Sequence, residues 1–461
     1  MTTPANVVKF IGSNDIKWVD VQFIDLYGNM HRYTVPGNSI SEESFEKGID
    51  GPNVSEVYSE YGEKELILKP DAKTFARVPW ENSLARVMAT VNIAASDERY
   101  LGDPRHITEH METNLKAAGI TSARISAEVE FYIFDNVVVD KNIRGNSASY
   151  VVESREGIWN PSPFTNPKGL YMNQPFDTSP PIRMQIAETL SGTFNCPVKY
   201  HSHGKGGSCQ QKIAVGPSVL KESADAFSTL KYVSRNASFL TNSVATFMPL
   251  PLSTEKGSSM IIGQNVWKKD RNVFYDATDK YTQLSQNGMY YIGGILEHAH
   301  AICAFANPTV NSYKRLRMDR YYVAWSKYSN GSMIYVPHIY ENRDFEKKIS
   351  MVSGDPSMNP YLAYSVIIAA GLDGIKNKID PGKPVDGNIE NMNAKERKEN
   401  KIKTLPGSLM EALEALQSDD KFLKGILPSE MLSAYMDMKL EEITSIENSV
   451  TPQEFEKYFN I

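Results

Sequence analysis

The stretch Arg124 to Phe134, RISAEVEFYIF, constrains the fold of this chain more tightly than any other. Ile125, Ala127, Val129, Phe131 and Ile133 alternate with polar or smaller residues, and successive side chains on a strand point to opposite faces. The spacing therefore predicts a strand with one apolar face against a core, and Glu128 and Glu130 together on the other. Two carboxylates so placed can share a divalent cation through oxygen ligands. A solvated outer face carrying two acids is the alternative, and the pattern alone leaves both open.

The elements around this strand mix helices and strands without regular alternation, which predicts the α+β class. WVDVQFIDLYGNMHRYTV alternates and turns at Tyr27-Gly28-Asn29, the pattern of a hairpin, and ELILKPD and ARVMATVNI are further strand candidates. Helical spacing is expected over Ile107–Ala118, with Gly119 as terminator, and over Ile182–Thr193, Lys221–Thr246, Gly288–Ala306 and Asn359–Ile379. Short charged helices are expected from Ser408 onward, and Val137 to Asn166 reads as a polar insertion.

With 461 residues, 41% of them apolar and 23% charged, the chain is long enough for a small and a large domain with a sizeable core. A formal charge of −6 speaks against non-specific nucleic-acid binding, which needs a basic surface. MTTPANVVKFIGSND shows no secretory pattern, and the longest apolar run, Tyr364 to Leu372, is too short to cross a bilayer. Cys196, Cys209 and Cys303 form an odd, sparse set that fits reduced thiols, so a cytoplasmic location is expected.

A second stretch with chemical character is HSHGKGGSCQQKIAV, from His201. His201 and His203 share a face if extended, but zinc needs further ligands and none follows nearby. The GKGGS turn lacks the terminal Lys-Ser/Thr of a phosphate loop, so it is weak as a phosphate cradle. Arg315, in NSYKR, has the geometry to grip a carboxylate bidentately. Asp50-Gly51-Pro52-Asn53 reads as a turn.

Taken in order, these segments resemble the glutamine synthetase family, in its prokaryotic type I form. Val21 to Gly28 with His31 is similar to the family's N-terminal strand motif, and Phe45 to Val54 to its latch. Ser126 to Asp135 resembles its glutamate-bearing strand, and Asn166 to Gly169, with Lys168, its KGGYF segment. NPTVNSYKRL, NPYL and LDGIKNK are long ordered matches. The resemblance implies an N-terminal β-grasp domain over residues 1–100 and a catalytic domain with a curved antiparallel sheet and surrounding helices over 101–461. It also implies a homo-oligomer of two stacked hexameric rings, a dodecamer, and ligation of ammonia to glutamate by ATP with Mg²⁺ or Mn²⁺ held mostly by glutamates.

The same resemblance shows where this chain departs from the family. Gly204 and Lys212 stand at two metal-binding glutamates, Ile261 at a metal-binding histidine, and Ser350 at a further metal-binding glutamate. Gly263 replaces a histidine that helps hold glutamate; Asn330, Tyr335 and Val352 replace arginines; Tyr321 replaces the flap glutamate. Asn53 replaces a latch serine, and Glu390 the tyrosine that is adenylylated in regulated members. The anchors HSH, TFMPLP, NSYKRL and NPYL limit misalignment to about a residue, and no such shift restores a carboxylate at Gly204, Ile261 or Ser350.

Glu128, Glu130, Asp50, Arg315 and Lys168 are what remains, too little to cage clustered cations, and Lys212 is expected to pair with Glu130 or Glu128. The expected role is that of a pseudoenzyme within nitrogen metabolism: a structural or regulatory oligomeric scaffold with no cofactor, alone or with an active paralogue. One rival is a repurposed ATP-dependent carboxylate–amine ligase, which would still need Mg²⁺ or Mn²⁺ and ATP. The other is a metabolite- or nucleotide-sensing module, with Lys205, Lys212 and Lys256 as anion receivers.

Overall fold

A computed structural model of the chain describes residues 3–61, 65–142, 147–160, 169–328, 331–340 and 343–459. The first sheet has strands β1 (Trp18–Ile24), β2 (Met30–Pro36), β3 (Leu66–Pro70), β4 (Ala76–Arg77) and β5 (Leu84–Ile93). Its order is β2-β1-β5-β3, with β4 also on β5. The hairpin at Tyr27–Asn29 is present, and β1 runs antiparallel to β2 but parallel to β5. Although β1 alternates in sequence, every residue after Trp18 is buried. Val19, Val21 and Phe23 enter a core of their own, while Asp20 and Gln22 face the other way and are covered by the helix Leu220–Leu240. Their burial is tolerated because each finds a partner. Asp20 accepts from Arg32 at 2.5 Å and Thr34 at 2.6 Å, and Gln22 accepts from Arg86, which also donates to Thr229.

The second domain is built on β6 (Ser122–Phe134), β9 (Val198–His203), β10 (Gln210–Val219), β11 (Val244–Thr246), β12 (Met260–Lys268), β13 (Arg271–Asn272), β14 (Tyr322–Ser326), β15 (Ser332–Tyr335), β16 (Ile349–Gly354) and β17 (Lys403–Thr404). Their order is β17-β14-β15-β16-β12-β6-β10-β9, with β11 on β6 and β13 on β12. All pairings are antiparallel except β14 with β15. The strand read from RISAEVEFYIF is β6, at the centre. Ile125, Ala127, Val129, Phe131 and Ile133 all lie in the larger core. Burying each of these side chains other than Ala127 contributes roughly 1.5–3 kcal/mol, so the face assignment is strongly enforced.

The helix Pro360–Asn377 crosses this core. It has proline in its first turn, and the Asn359 side chain caps it by accepting from the Tyr361 amide. The same side chain donates to the Asp25 and Leu26 carbonyls at 3.2 and 3.1 Å, tying the two sheets together.

Three expectations need correction. The helix expected over Lys221–Thr246 ends at Leu240: Asn242 takes a left-handed φ of 51°, the chain reverses, and Val244–Thr246 becomes β11. The helix expected over Gly288–Ala306 is two, Gln286–Glu297 and Ala299–Ala306, broken at His298, whose ring lies between Asp373 and Asp419. The polar insertion carries a hairpin of β7 (Asn136–Asn142) and β8 (Ser147–Glu153), while residues 161–166 lie outside the described segments. No helix among the described residues is long and apolar enough to cross a membrane.

Candidate functional site

The polar face of β6 and its neighbours brings most of the singled-out positions into one patch. In register, Glu128 lies between Ala214 and Ile261, and Glu130 opposite Lys212. Ser126 pairs with Gly263, Gly263 with Ser350, and Ser350 with Tyr335. Lys212 pairs in turn with Ser202. The linear motifs are thus neighbours across six strands.

Both glutamates are already engaged. Lys212 Nζ lies 3.1 Å from Glu128 Oε2, and the Tyr200 hydroxyl donates to the same oxygen at 2.6 Å. Burial would raise the Glu128 carboxyl, but Lys212 and Tyr200 outweigh it and hold it below the usual carboxylate range. Burial would likewise depress the Lys212 ammonium; Glu130 and Glu128 together push it up instead. Glu130, 2% exposed, accepts from the Ser259 amide at 3.0 Å and the Ser259 hydroxyl at 2.6 Å. Lys212 thus meets its diagonal neighbour Glu128, while Ser259 binds one oxygen of the directly opposite Glu130.

The glycines are filled positions, not openings. A Cβ on Gly204 would lie 2.6 Å from Gln210 Oε1, which accepts the Gly206 amide at 2.7 Å, while Gln210 Nε2 donates to the Gly257 carbonyl. A Cβ on Gly263 would lie 2.6 Å from Ser126 Oγ and 3.0 Å from Lys348 Cδ, because the Lys348 side chain crosses the sheet there. The glycine turn is no open cradle either: the Glu255 carboxylate occupies it, accepting from the Gly207 amide at 2.7 Å and the Ser208 hydroxyl at 2.6 Å.

On the opposite face, His203 is fully buried and forms a pair that sequence reasoning missed. Its Nδ1 donates to the Gly204 carbonyl at 3.0 Å, and Nε2 meets Glu156 Oε2 at 2.8 Å. A carbonyl can only accept, so Nδ1 carries a proton; facing a carboxylate, Nε2 carries the other. Burial opposes this imidazolium, but Glu156 raises its pKa overall. Glu156, Asp177 and His203 offer ligand atoms within 4.8 Å of one another, a spacing that could suit a metal. The donors are spent, however. Glu156 also accepts from the Thr178 amide and hydroxyl, both at 2.6 Å, and Asp177 is clamped by Arg183. No local pattern signals this cluster, because Glu156 and Asp177 come from the insertion and its far flank.

Arg315 is also redirected. Its expected free, carboxylate-gripping geometry gives way to a guanidinium with no exposure, bonded to the Ser353 carbonyl at 2.6 Å and Asp319 at 3.3 Å, with Asp355 at 3.9 Å from Nε. Tyr321 sits over it at 5.9 Å. Val352 and Ser350 are buried, and Tyr335 is half-buried. Asp50 is exposed on the first domain, where burial and then the Asp50 charge push the Tyr33 hydroxyl up to about 12. Asn53 accepts the Ser55 and Leu66 amides. Lys205 and Glu390 are exposed, and Lys256 lies 3.8 Å from Asp319. Lys168 and Asn330 lie outside the described residues.

Comparison with known proteins adds an independent line. The family model described as glutamine synthetase, beta-Grasp domain, matches residues 15–93, and the one described as glutamine synthetase, catalytic domain, matches residues 101–458. The chain is 38% identical to a glutamine synthetase of Sulfolobus acidocaldarius, over 98% of both chains. It is 34% identical to a 3-hydroxylaminophenol mutase of Cupriavidus pinatubonensis, over 99% of both. Among solved structures it is similar to the glutamine synthetase of Plasmodium falciparum, with a TM-score of 0.87 at 25% identity over 99% of each chain.

Proposed function

This chain belongs to the glutamine synthetase family, with both of its domains, and we propose that it does not ligate ammonia to glutamate but serves as a structural or regulatory oligomeric scaffold. The observation carrying this reading is the Lys212–Glu128 ion pair beside a Glu130 held by Ser259. ATP-dependent ligation needs divalent cations to neutralise phosphates and the charge that develops as a phosphoryl group moves. The donor set does not fit such ions. One oxygen of each remaining carboxylate is taken by protein donors, a lysine is paired with Glu128, and Gly204, Ile261 and Ser350 offer no carboxylate or imidazole. Lys348 and Gln210 also fill the space that side chains at 263 and 204 would use. No step is therefore derived through metal or ATP.

The proposed assembly is the family's double ring, a homo-oligomer with an active paralogue as possible companion. Native mass measurement on protein purified from its own host tests both: a homogeneous twelve-subunit particle supports the ring, and co-purified active relative supports mixing. The decisive test of function is glutamine and phosphate release from glutamate, ammonium and ATP with Mg²⁺ or Mn²⁺, beside isothermal titration of each ion. No turnover and no ion binding are expected; robust amide formation overturns the reading.

A second reading, altered chemistry on the same scaffold, is favoured by one finding, the full-length similarity to a protein named as a mutase. ATP- and metal-dependent phosphate release with other acid–amine pairs would identify a repurposed ligase, and metal-free conversion of a hydroxylaminophenol would identify mutase-type chemistry.

A further inference from the structure

A cavity of about 330 Å³ lies between the β1–β2 hairpin and the helix Leu220–Leu240, away from the sheet centre. Lys231 and Arg235, four residues apart on that helix, both line it. The only polar contact of Lys231 Nζ among the described residues is the Met358 carbonyl at 3.3 Å, with the Phe227 ring at 4.7 Å. Among the described residues Arg235 has only the Phe247 ring, at 5.8 Å. Neither has a carboxylate within ion-pair distance among the described residues. The facing wall does not neutralise them, because Asp20 is taken by Arg32 and Thr34, and His31 meets Asp25 at 2.8 Å. Trp80, Tyr232 and Met30 supply an apolar flank. In a chain of formal charge −6, two neighbouring cations without counter-charge in a concave, partly desolvated place are not background.

We propose that this cavity is a binding site for a metabolite-sized organic anion, whose phosphate or carboxylate group is received by Lys231 and Arg235. The site stands independently of whether the sheet centre is catalytically active. Its charge state makes a specific signature available. Burial first, then the Arg235 charge, lowers the Lys231 amine to about 7, with Asp355 opposing them weakly. Asp20, Arg32, His31 and the Tyr232 hydroxyl, which burial pushes up to about 12, are the other charged or titratable groups facing the cavity. A bound anion restores the ammonium, so binding takes up a proton above that pH and none well below it.

The experiment is isothermal titration of the full-length chain in metal-free buffer at constant ionic strength. The probes are inorganic phosphate, glutamate and AMP, which separate phosphate, carboxylate and phosphate-with-aromatic-body recognition. At least one is expected to bind at millimolar concentration or tighter, with proton uptake near about pH 8; for glutamate, whose carboxylates do not titrate in this range, none is expected near about pH 6. Arg235→Gln, an exposed change that should leave the fold intact, is expected to weaken binding at least about tenfold. Lys231→Met is expected to remove the proton uptake as well, whereas Lys205→Gln in the glycine turn should change nothing. Absence of binding by all three probes, or binding indifferent to both cavity variants, overturns the proposal.

Discussion

Charge is handled in two opposite ways in this molecule. At the centre of the ten-stranded sheet it is matched from within: Glu128 by Lys212 and Tyr200, Glu130 by Ser259, Arg315 by Asp319 and the Ser353 carbonyl. At the domain junction, Lys231 and Arg235 are left without a counter-charge among the described residues. Internally matched charge holds strands together and has little left to offer a ligand. Unmatched charge costs stability until something binds it. The difference separates a region whose charges are met within the chain from one whose cations lack a counter-charge, although the family resemblance draws attention only to the first.

The strongest way to break this comparison is Arg315→Met. It leaves Asp355, itself fully buried, without its cation and Asp319 with only Lys256, and a loss of about 3–5 kcal/mol in urea unfolding is expected. A loss below about 1 kcal/mol would mean that the matched charges matter little.

Next comes Lys212→Glu, which sets three carboxylates side by side. Stability should fall by about 2–3 kcal/mol, and Mn²⁺ should restore part of it in the variant but not in the parent chain. Equal stabilisation of both by Mn²⁺ would show that the natural site already takes the ion.

The His203–Glu156 pair sharpens the comparison through pH. The folded-state pKa of His203 is raised, so its contribution is fully present below the ordinary histidine value of about 6.5 and is lost as pH rises through the folded value. Glu156→Gln should cost about 2 kcal/mol near about pH 6 and progressively less in alkaline solution, read from denaturation midpoints. A pH-independent loss would contradict the imidazolium assignment.

The smallest effect belongs to the junction. Lys231→Met removes an ammonium whose folded pKa is depressed, so its burden on stability is full below about 7 and relieved as pH rises toward the ordinary lysine range. A modest rise in Tm is expected near about pH 6 and a smaller one near about pH 9. A fall in Tm at both would mean that Lys231 is already satisfied.

Much of the architecture was legible in the sequence. The face of β6 followed from alternation, and the hairpin from Tyr27-Gly28-Asn29. The Lys212 ion pair followed from residue type plus resemblance, but the choice of Glu128 over Glu130 did not, nor did the Ser259 contact to Glu130 across 129 residues. Nor did the pattern reveal that Gln210 and Lys348 fill the spaces beside Gly204 and Gly263, that Glu255 occupies the glycine turn, or that Arg315 is turned inward. The helix expected to run through Thr246 failed at Asn242, where a left-handed residue reverses a chain whose apolar spacing continues.

The sequence by itself determined which residues face the core and which chemical groups are on hand, because strand pleat and residue type are local properties. Only the tertiary structure decided which of those groups are spent and which are free. A carboxylate or an ammonium is satisfied by whatever donor or acceptor the strand register and helix packing bring within about 3 Å, and for Glu130 that partner lies 129 residues away along the chain.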